Sequence, residues 1–152
     1  MPQLFLGNAL CAVAPSGRIV LPLFARGGFT TNTQIMIGVH ETDNCLVGYR
    51  RDHAETLAAD CQRRIAAEPA QSMAHHSRAR RIFGFVQECA CSGRGELKLP
   101  PMMRRRTRID DVALVVGTGE TFEIWNPHLA LDSGDPDLAD LAGFHLEFAQ
   151  AS

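Results

Sequence analysis

Two halves of the chain repeat one another, and a repeat of that length restricts the fold to architectures assembled from two copies of one unit. The first copy reads Phe5-Leu6-Gly7, then Gly17-Arg18-Ile19-Val20-Leu21-Pro22, then Cys45-Leu46-Val47-Gly48-Tyr49. The second reads Ile82-Phe83-Gly84, then Gly95-Glu96-Leu97-Lys98-Leu99-Pro100, then Thr121-Phe122-Glu123-Ile124-Trp125. The three offsets, 5 to 82, 17 to 95 and 45 to 121, are 77, 78 and 76 residues, so the matches keep both order and spacing.

Inside each copy the apolar runs are short and separated by turn residues, which is the pattern of strands. Strands are predicted over Ala9 to Val13, Arg18 to Leu21, Gln34 to Val39 and Cys45 to Tyr49, with Pro-Ser-Gly, Gly-Gly and Thr-Asp-Asn turns between them. In the second copy they fall over Val86 to Cys91, Glu96 to Leu99, Val112 to Val116 and Thr121 to Trp125. A short helix is predicted after Pro101, because proline suits a first helical turn. Each copy is a sheet too small to bury a stable core alone, so the two should pack together, with exchange of strands as the natural route.

A helical connector separates the copies. Asp52 with Glu55 resembles a capping box, and Leu57, Cys61 and Ile65 follow at helical spacing. Pro69 is a start for a second helix running through Ser72, Met73 and Ala79 until Gly84 stops it. Near the end of the chain Asp135-Pro136 opens another helix, with Leu138, Leu141, Phe144 and Phe148 as an apolar stripe.

Net charge is −2, but it is unevenly spread. Residues 50–108 carry 13 basic and 6 acidic side chains, whereas residues 132–152 carry five acids and no base. A basic middle suits a polyanion and an acidic tail suits a different task, either screening that surface or meeting another partner. The densest basic cluster is Arg104-Arg105-Arg106 with Arg108; consecutive helical residues point in different directions, so at most two of the three can face one ligand. Met102 and Met103 beside it are candidate core anchors, and Trp125 reads as a core or interface anchor. Arg78, Arg80 and Arg81 suit pairing with acids of a neighbouring subunit as well as they suit a nucleic acid.

The five cysteines, Cys11, Cys45, Cys61, Cys89 and Cys91, make an odd count without a secretory pattern and read as small buried residues in a reducing compartment. Cys89 and Cys91 lack the partners of a tetrahedral zinc set, so no metal and no cofactor is expected. No apolar run approaches the roughly 20 residues that cross a bilayer, which makes the cytoplasm the default location and excludes a membrane partner. The chain carries no phosphate-binding glycine loop, no Gly-x-Ser-x-Gly elbow and no His-Glu-x-x-His pair, and the adjacent His75 and His76 cannot share a helix face. Neither an enzyme nor a small-molecule substrate is therefore expected.

Taken together, Phe5-Leu6-Gly7, Gly17 to Pro22, Cys45 to Tyr49, Arg80-Arg81-Ile82-Phe83-Gly84, Val115-Val116-Gly117 and Phe122 to Trp125 resemble the MraZ family over roughly residues 4 to 131. The resemblance implies a β-rich α+β fold of two SpoVT-AbrB modules, each a swapped-hairpin half-barrel, forming a pseudo-symmetric double barrel. The boundaries it suggests are 4–51 and 83–127 for the modules, 52–82 for the connector and 128–152 for the tail. It implies a ring-like homo-oligomer that is nucleoid-associated and binds double-stranded promoter DNA at short direct repeats upstream of a division and cell-wall gene cluster.

The family signature is an Asp-x-x-x-Arg motif once per half, and this chain departs from it. Ala14 stands at the first aspartate, with Gly17 and Arg18 kept; Ser92 and Glu96 stand at the second aspartate and arginine, with Arg94 two residues earlier on the same turn. The candidate DNA-binding residues are Ser16, Gly17, Arg18, Arg94, Arg104 and Arg105. A guanidinium on such a turn reaches phosphate oxygens or a guanine edge, whereas Glu96 would repel phosphate. The competing reading is a degenerate member that keeps the oligomeric scaffold for protein partners. A third is an antitoxin-like module whose acidic tail neutralises its partner.

Overall fold

A computed structural model describes residues 4–26, 33–67 and 73–151. Eight strands form one sheet: β1 (Asn8–Ala12), β2 (Arg18–Val20), β3 (Thr33–Val39), β4 (Leu46–Tyr49), β5 (Val86–Cys91), β6 (Glu96–Lys98), β7 (Val112–Gly117) and β8 (Phe122–Trp125). They coincide with the eight strands read from the sequence to within a residue or two at each end. The Gly27-Gly28 turn, the helix start at Pro69 and Ser72 lie outside the described residues, as do the side chains of Ile65, Met73 and His75.

The order across the sheet is β1-β7-β8-β4-β3-β5-β6-β2, antiparallel at each paired edge. Its two ends meet through a bridge between Val13 and Ile19, so the sheet is nearly closed into a barrel. Four of its pairings, β1 with β7, β2 with β6, β3 with β5 and β4 with β8, join strands from opposite halves of the sequence. Alternation places Ile35 and Ile37 of β3, Ala113 and Val115 of β7, and Phe122 and Ile124 of β8 inside with Phe5, Val13, Ile19, Leu21, Leu97 and Leu99. Most of the apolar area is therefore buried only when both halves are present.

Leu114 and Trp125 point to the other face of the sheet, where a second cluster forms with Ala130, Leu138 and Ala142. This explains why residues 112–116 are apolar without a break: β7 is covered on both sides. The cover comes from two helices, α4 (Pro127–Leu131) and α5 (Pro136–Ala151), so the C-terminal segment docks on the body. Asn126 caps α4 through its side chain, and Asp135 Oδ1 accepts the amides of Asp137 and Leu138 at the start of α5. His145 Nε2 lies 2.6 Å from Asn8 Oδ1, tying α5 to β1. The apolar stripe expected on α5 divides: Leu138 is buried and Leu141 partly so, while Phe144 and Phe148 stack on each other at the surface, 57% and 61% exposed. Ala142 takes the inner position instead, because a small side chain lets the helix approach the sheet.

The connector contains α1 (His53–Ala67) and α2 (Met73–Ala79), which continues as a wide turn over Arg80–Gly84. Cys61 is buried, and the α1 start is held by His53 Nδ1 3.2 Å from the Glu120 carboxylate. Arginines of the connector and its approach find acids within the chain: Glu41 accepts from both Arg64 and Arg78, and Arg51 pairs with Glu88 at 3.3 Å. Arg81 donates to the His40 and Asp43 carbonyls at 2.5 and 2.8 Å, latching the wide turn to the β3–β4 loop. Among the described residues no helix is long and apolar enough to cross a membrane.

Candidate nucleic-acid interface

The turns between β1 and β2 and between β5 and β6 are built alike. In the first, Gly17 N–H donates to the Ala14 carbonyl at 2.8 Å and Ala14 N–H to the Arg18 carbonyl at 2.9 Å. In the second, Gly95 N–H donates to the Ser92 carbonyl at 2.9 Å and Ser92 N–H to the Glu96 carbonyl at 3.0 Å. Gly17 and Gly95 both sit in the left-handed region, with φ of +90° and +87°, where a side chain is strained. A Cβ on Gly95 would also fall 2.9 Å from the Leu21 carbonyl. Arg18 and Glu96 thus occupy equivalent places in the hydrogen bonding of the two turns, and so do Ala14 and Ser92.

The two turns differ in what closes them. Ser92 Oγ accepts the amides of Arg94 and Glu96 at 3.3 and 3.0 Å, a serine-closed turn. Ala14 has no side-chain acceptor to do the same in the first turn, which is held by backbone bonds and by a residue from elsewhere. That residue is Arg104, on α3 (Pro101–Arg106). Its guanidinium donates to the carbonyls of Pro15 at 2.9 Å, Ile109 at 3.0 Å and Asp110 at 2.8 Å. Arg26, at the same distance after its own proline turn, donates through Nε to Leu21 O at 2.9 Å and packs beside Gly95.

Pairing of β2 with β6 sets Arg18 opposite Lys98 and Val20 opposite Glu96, with Ile19 and Leu97 pointing into the core. The outer face of this ribbon therefore carries Arg18, Val20, Glu96 and Lys98. Arg18 Nη1 is 3.8 Å from Glu96 Oε2, and both remain open to solvent, with side chains 66% and 41% exposed. An exposed pair of this kind contributes only about 0–1 kcal/mol to stability, so either group can exchange it for a stronger partner. An open groove beside the pair is lined by Arg18, Thr33, Gln34, Ser92, Glu96 and Lys98.

The remaining candidates are distributed unequally around this ribbon. Ser16 and Arg94 are exposed at the tips of their turns, and Gly17 is buried beneath the first. Arg105 is exposed on α3, whereas the neighbouring Arg106 lies over the Phe85 ring, 4.6 Å from its centre. Of the two methionines, Met103 is buried but Met102 is 60% exposed, since one short helix cannot turn adjacent residues to the same side. Lys98 and Arg26 escaped the sequence reading. The repeat contained their signal: Arg26 and Arg104 are 78 residues apart, the offset of the turns themselves, and the period of two puts Lys98 on the outer face with Glu96.

Away from the ribbon, Trp125 is a buried anchor whose indole donates to Glu123 Oε1 at 2.8 Å. Burial opposes ionisation of Glu123, yet hydrogen bonds from His40 and Trp125 hold its carboxyl below the ordinary range. Burial pushes the thiols of Cys45 and Cys89 up, the latter to about 11, which suits inert core residues rather than nucleophiles. Among the described residues no three His, Cys, Asp or Glu side chains come together as a metal site.

Comparison with known proteins supplies a context for this ribbon. The chain is 28% identical over 125 residues to the transcriptional regulator MraZ of Shewanella pealeana, covering 81% of this chain and 80% of that protein. It is 27% identical over 125 residues to the transcriptional regulator MraZ of Saccharophagus degradans, covering 81% and 82%, and 27% identical over 124 residues to that of Alcanivorax borkumensis, covering 80% and 82%. No family model matches the chain.

Proposed function

The chain belongs to the MraZ family of transcriptional regulators, and from that premise we propose that it binds double-stranded promoter DNA through the ribbon around Arg18. The observation that carries the reading is the pair of alike glycine turns lifting Arg18, Arg94 and Lys98 into solvent on one β2–β6 ribbon. Two-stranded ribbons fit the major groove, and an arginine there meets a guanine edge or a phosphate. Ser16 brings backbone close to the duplex, the buried Gly17 shapes the turn beneath it, Arg105 adds charge at the flank, and Arg104 acts through the shape of the turn. The target is a set of short direct repeats in the promoter of the division and cell-wall gene cluster. The protein acts on the nucleoid as a regulator rather than a catalyst.

We read the fold as two modules, residues 4–51 and 83–127, with a connector at 52–82 and a tail at 128–152. Strand pairing supports this reading: advancing every strand by four maps β4–β8 and β2–β6 onto themselves and turns each other observed pairing into another, β5–β6 through the Val13–Ile19 bridge. A ring of such units would present the ribbon several times to repeated DNA sites, converting modest single contacts into avidity. A second reading has one observation in its favour. Glu96 sits against Arg18 and partly neutralises it, as in a member that keeps the scaffold for protein partners alone.

A titration of the upstream DNA against the protein at several salt concentrations separates the two. DNA binding predicts retarded migration that weakens steeply with salt, and a loss of about tenfold in affinity on Arg18→Ala. Absence of retardation by an intact oligomer would leave the scaffold reading standing.

A further inference from the structure

The geometry points to Arg104 as a positioning residue that sets the Ala14–Arg18 turn, and to Arg26 as its counterpart on the Ser92–Glu96 turn. The inference rests on the proposal that the Arg18 turn meets DNA, and it says what holds that turn in shape. Arg104 Nη1 donates to Pro15 O, Nε to Ile109 O and Nη2 to Asp110 O, at 2.9, 3.0 and 2.8 Å. All three nitrogens of the guanidinium are thus committed to backbone carbonyls. One carbonyl belongs to the turn itself and two to the segment leading into β7, so a single side chain joins the first turn to the second half of the chain.

Arginine is suited to this task for a specific reason. Its fork is planar, holds five donors in fixed directions and remains charged, whereas lysine offers one nitrogen that cannot meet three separated carbonyls. The guanidinium also lies under Gly17: a Cβ there would be 3.7 Å from Arg104 Nη1 and 3.2 Å from Leu99 O. The turn is thereby enclosed from below, with Gly17 O accepting Leu99 N–H at 2.9 Å. Arg26 repeats the arrangement across the barrel. It donates to Leu21 O, the carbonyl that a Cβ at position 95 would crowd, and Leu21 N–H donates to Gly95 O at 2.9 Å.

The two turns differ in how much they depend on their arginine. Ser92 Oγ closes the second turn internally through two amides, and Ala14 offers no such bond. Where no side-chain acceptor is present, the clamp from Arg104 does more to hold Arg18 in place. This gives Arg104 a role in DNA affinity without contact to DNA.

The test is Arg104→Lys, which keeps the charge and removes the fork, with Arg63→Lys on α1 as an exposed control away from the ribbon. Amide exchange is measured without DNA at Ala14 and Gly17, whose N–H groups close the turn, and at Ile37 in the core. Arg104→Lys should accelerate Ala14 and Gly17 by about tenfold relative to Ile37, and Arg26→Lys should leave those two amides unchanged. DNA affinity should fall about tenfold in Arg104→Lys with an unchanged salt slope, because the number of phosphates met is the same. Wild-type exchange and affinity in Arg104→Lys would overturn the inference, and so would uniform acceleration that includes Ile37, which marks general destabilisation. Exchange is read without DNA, so a wild-type protein that binds no DNA refutes the Arg18 reading while the exchange comparison still decides on the clamp.

Discussion

Glu96→Arg should tighten binding to the upstream DNA by about ten- to a hundredfold, the equivalent of one good arginine–base or arginine–phosphate interaction in place of a carboxylate that opposes phosphate. Three effects combine to produce it. Glu96 stands on the second turn where Arg18 stands on the first, with the same backbone bonds on either side, so a guanidinium at position 96 is presented in the same geometry as Arg18. Removal of the carboxylate also frees Arg18, whose Nη1 now lies 3.8 Å from Glu96 Oε2. Finally, each additional phosphate neutralised steepens the dependence of log affinity on log salt by about 0.9, a signature that improved folding alone cannot produce.

The unbound protein should be slightly destabilised by that change, since the new guanidinium would join Arg18 and Lys98 on one small face and like charges across strands cost roughly 0.2–1 kcal/mol. A modest fall in melting temperature together with tighter, more salt-sensitive binding is therefore the expected pair of results. Glu96→Gln should fall between the two proteins, because it removes repulsion and adds no cation. Unchanged affinity and slope in a folded Glu96→Arg protein would show that the second turn faces away from DNA, and the ribbon would lose half its proposed footprint.

Much of this architecture is legible in the sequence because it is repeated. Glycine, proline and alternating apolar residues mark the same strands twice, and what is ambiguous in one half is disambiguated by the other. The Glu96 position is an instance: neither turn alone identifies Ser92 as the counterpart of Ala14, but the 78-residue offset does, and the hydrogen bonds agree. What is illegible depends on distance in sequence. Nothing near Arg104 says that its guanidinium reaches Pro15, 89 residues earlier, so a run of three arginines reads as one basic patch although its members separate into a clamp, an exposed cation and a ring-stacked cation. Docking of α5 is hidden for a similar reason. The apolar stripe is visible, but which of its residues meet the sheet depends on Leu114 and Trp125, whose outward orientation becomes clear only when β7 and β8 are placed.

The seam between β4 and β8 is where that long-range dependence is strongest, and Gly48→Ala should expose it by lowering stability by about 3 kcal/mol, the upper end of ordinary overpacking. Gly48 pairs with Phe122 across the seam, and a Cβ on Gly48 would stand 2.2, 2.5 and 2.7 Å from three carbons of the Phe122 ring. Such a clash is mild where a flexible side chain can swing away. Here the ring is fully buried and set edge-on to Phe5, with centroids 5.1 Å apart, while Phe5 is itself bridged through its backbone to Gly119. Relief must come from moving strands, not a side chain.

Glycine also gives up backbone freedom that alanine lacks, so the substitution ought to stabilise slightly wherever space permits; the predicted sign therefore comes wholly from the ring. A loss of that size lowers the melting temperature by about 6–12 °C for a chain of this length. Phe122→Leu should itself destabilise by leaving space beside Phe5, yet combined with Gly48→Ala it should cost less than the sum of the two, since each change accommodates the other. Additive losses in that double-mutant cycle, or a Gly48→Ala loss below about 1 kcal/mol, would mean that the β4–β8 seam is looser than the ring packing requires.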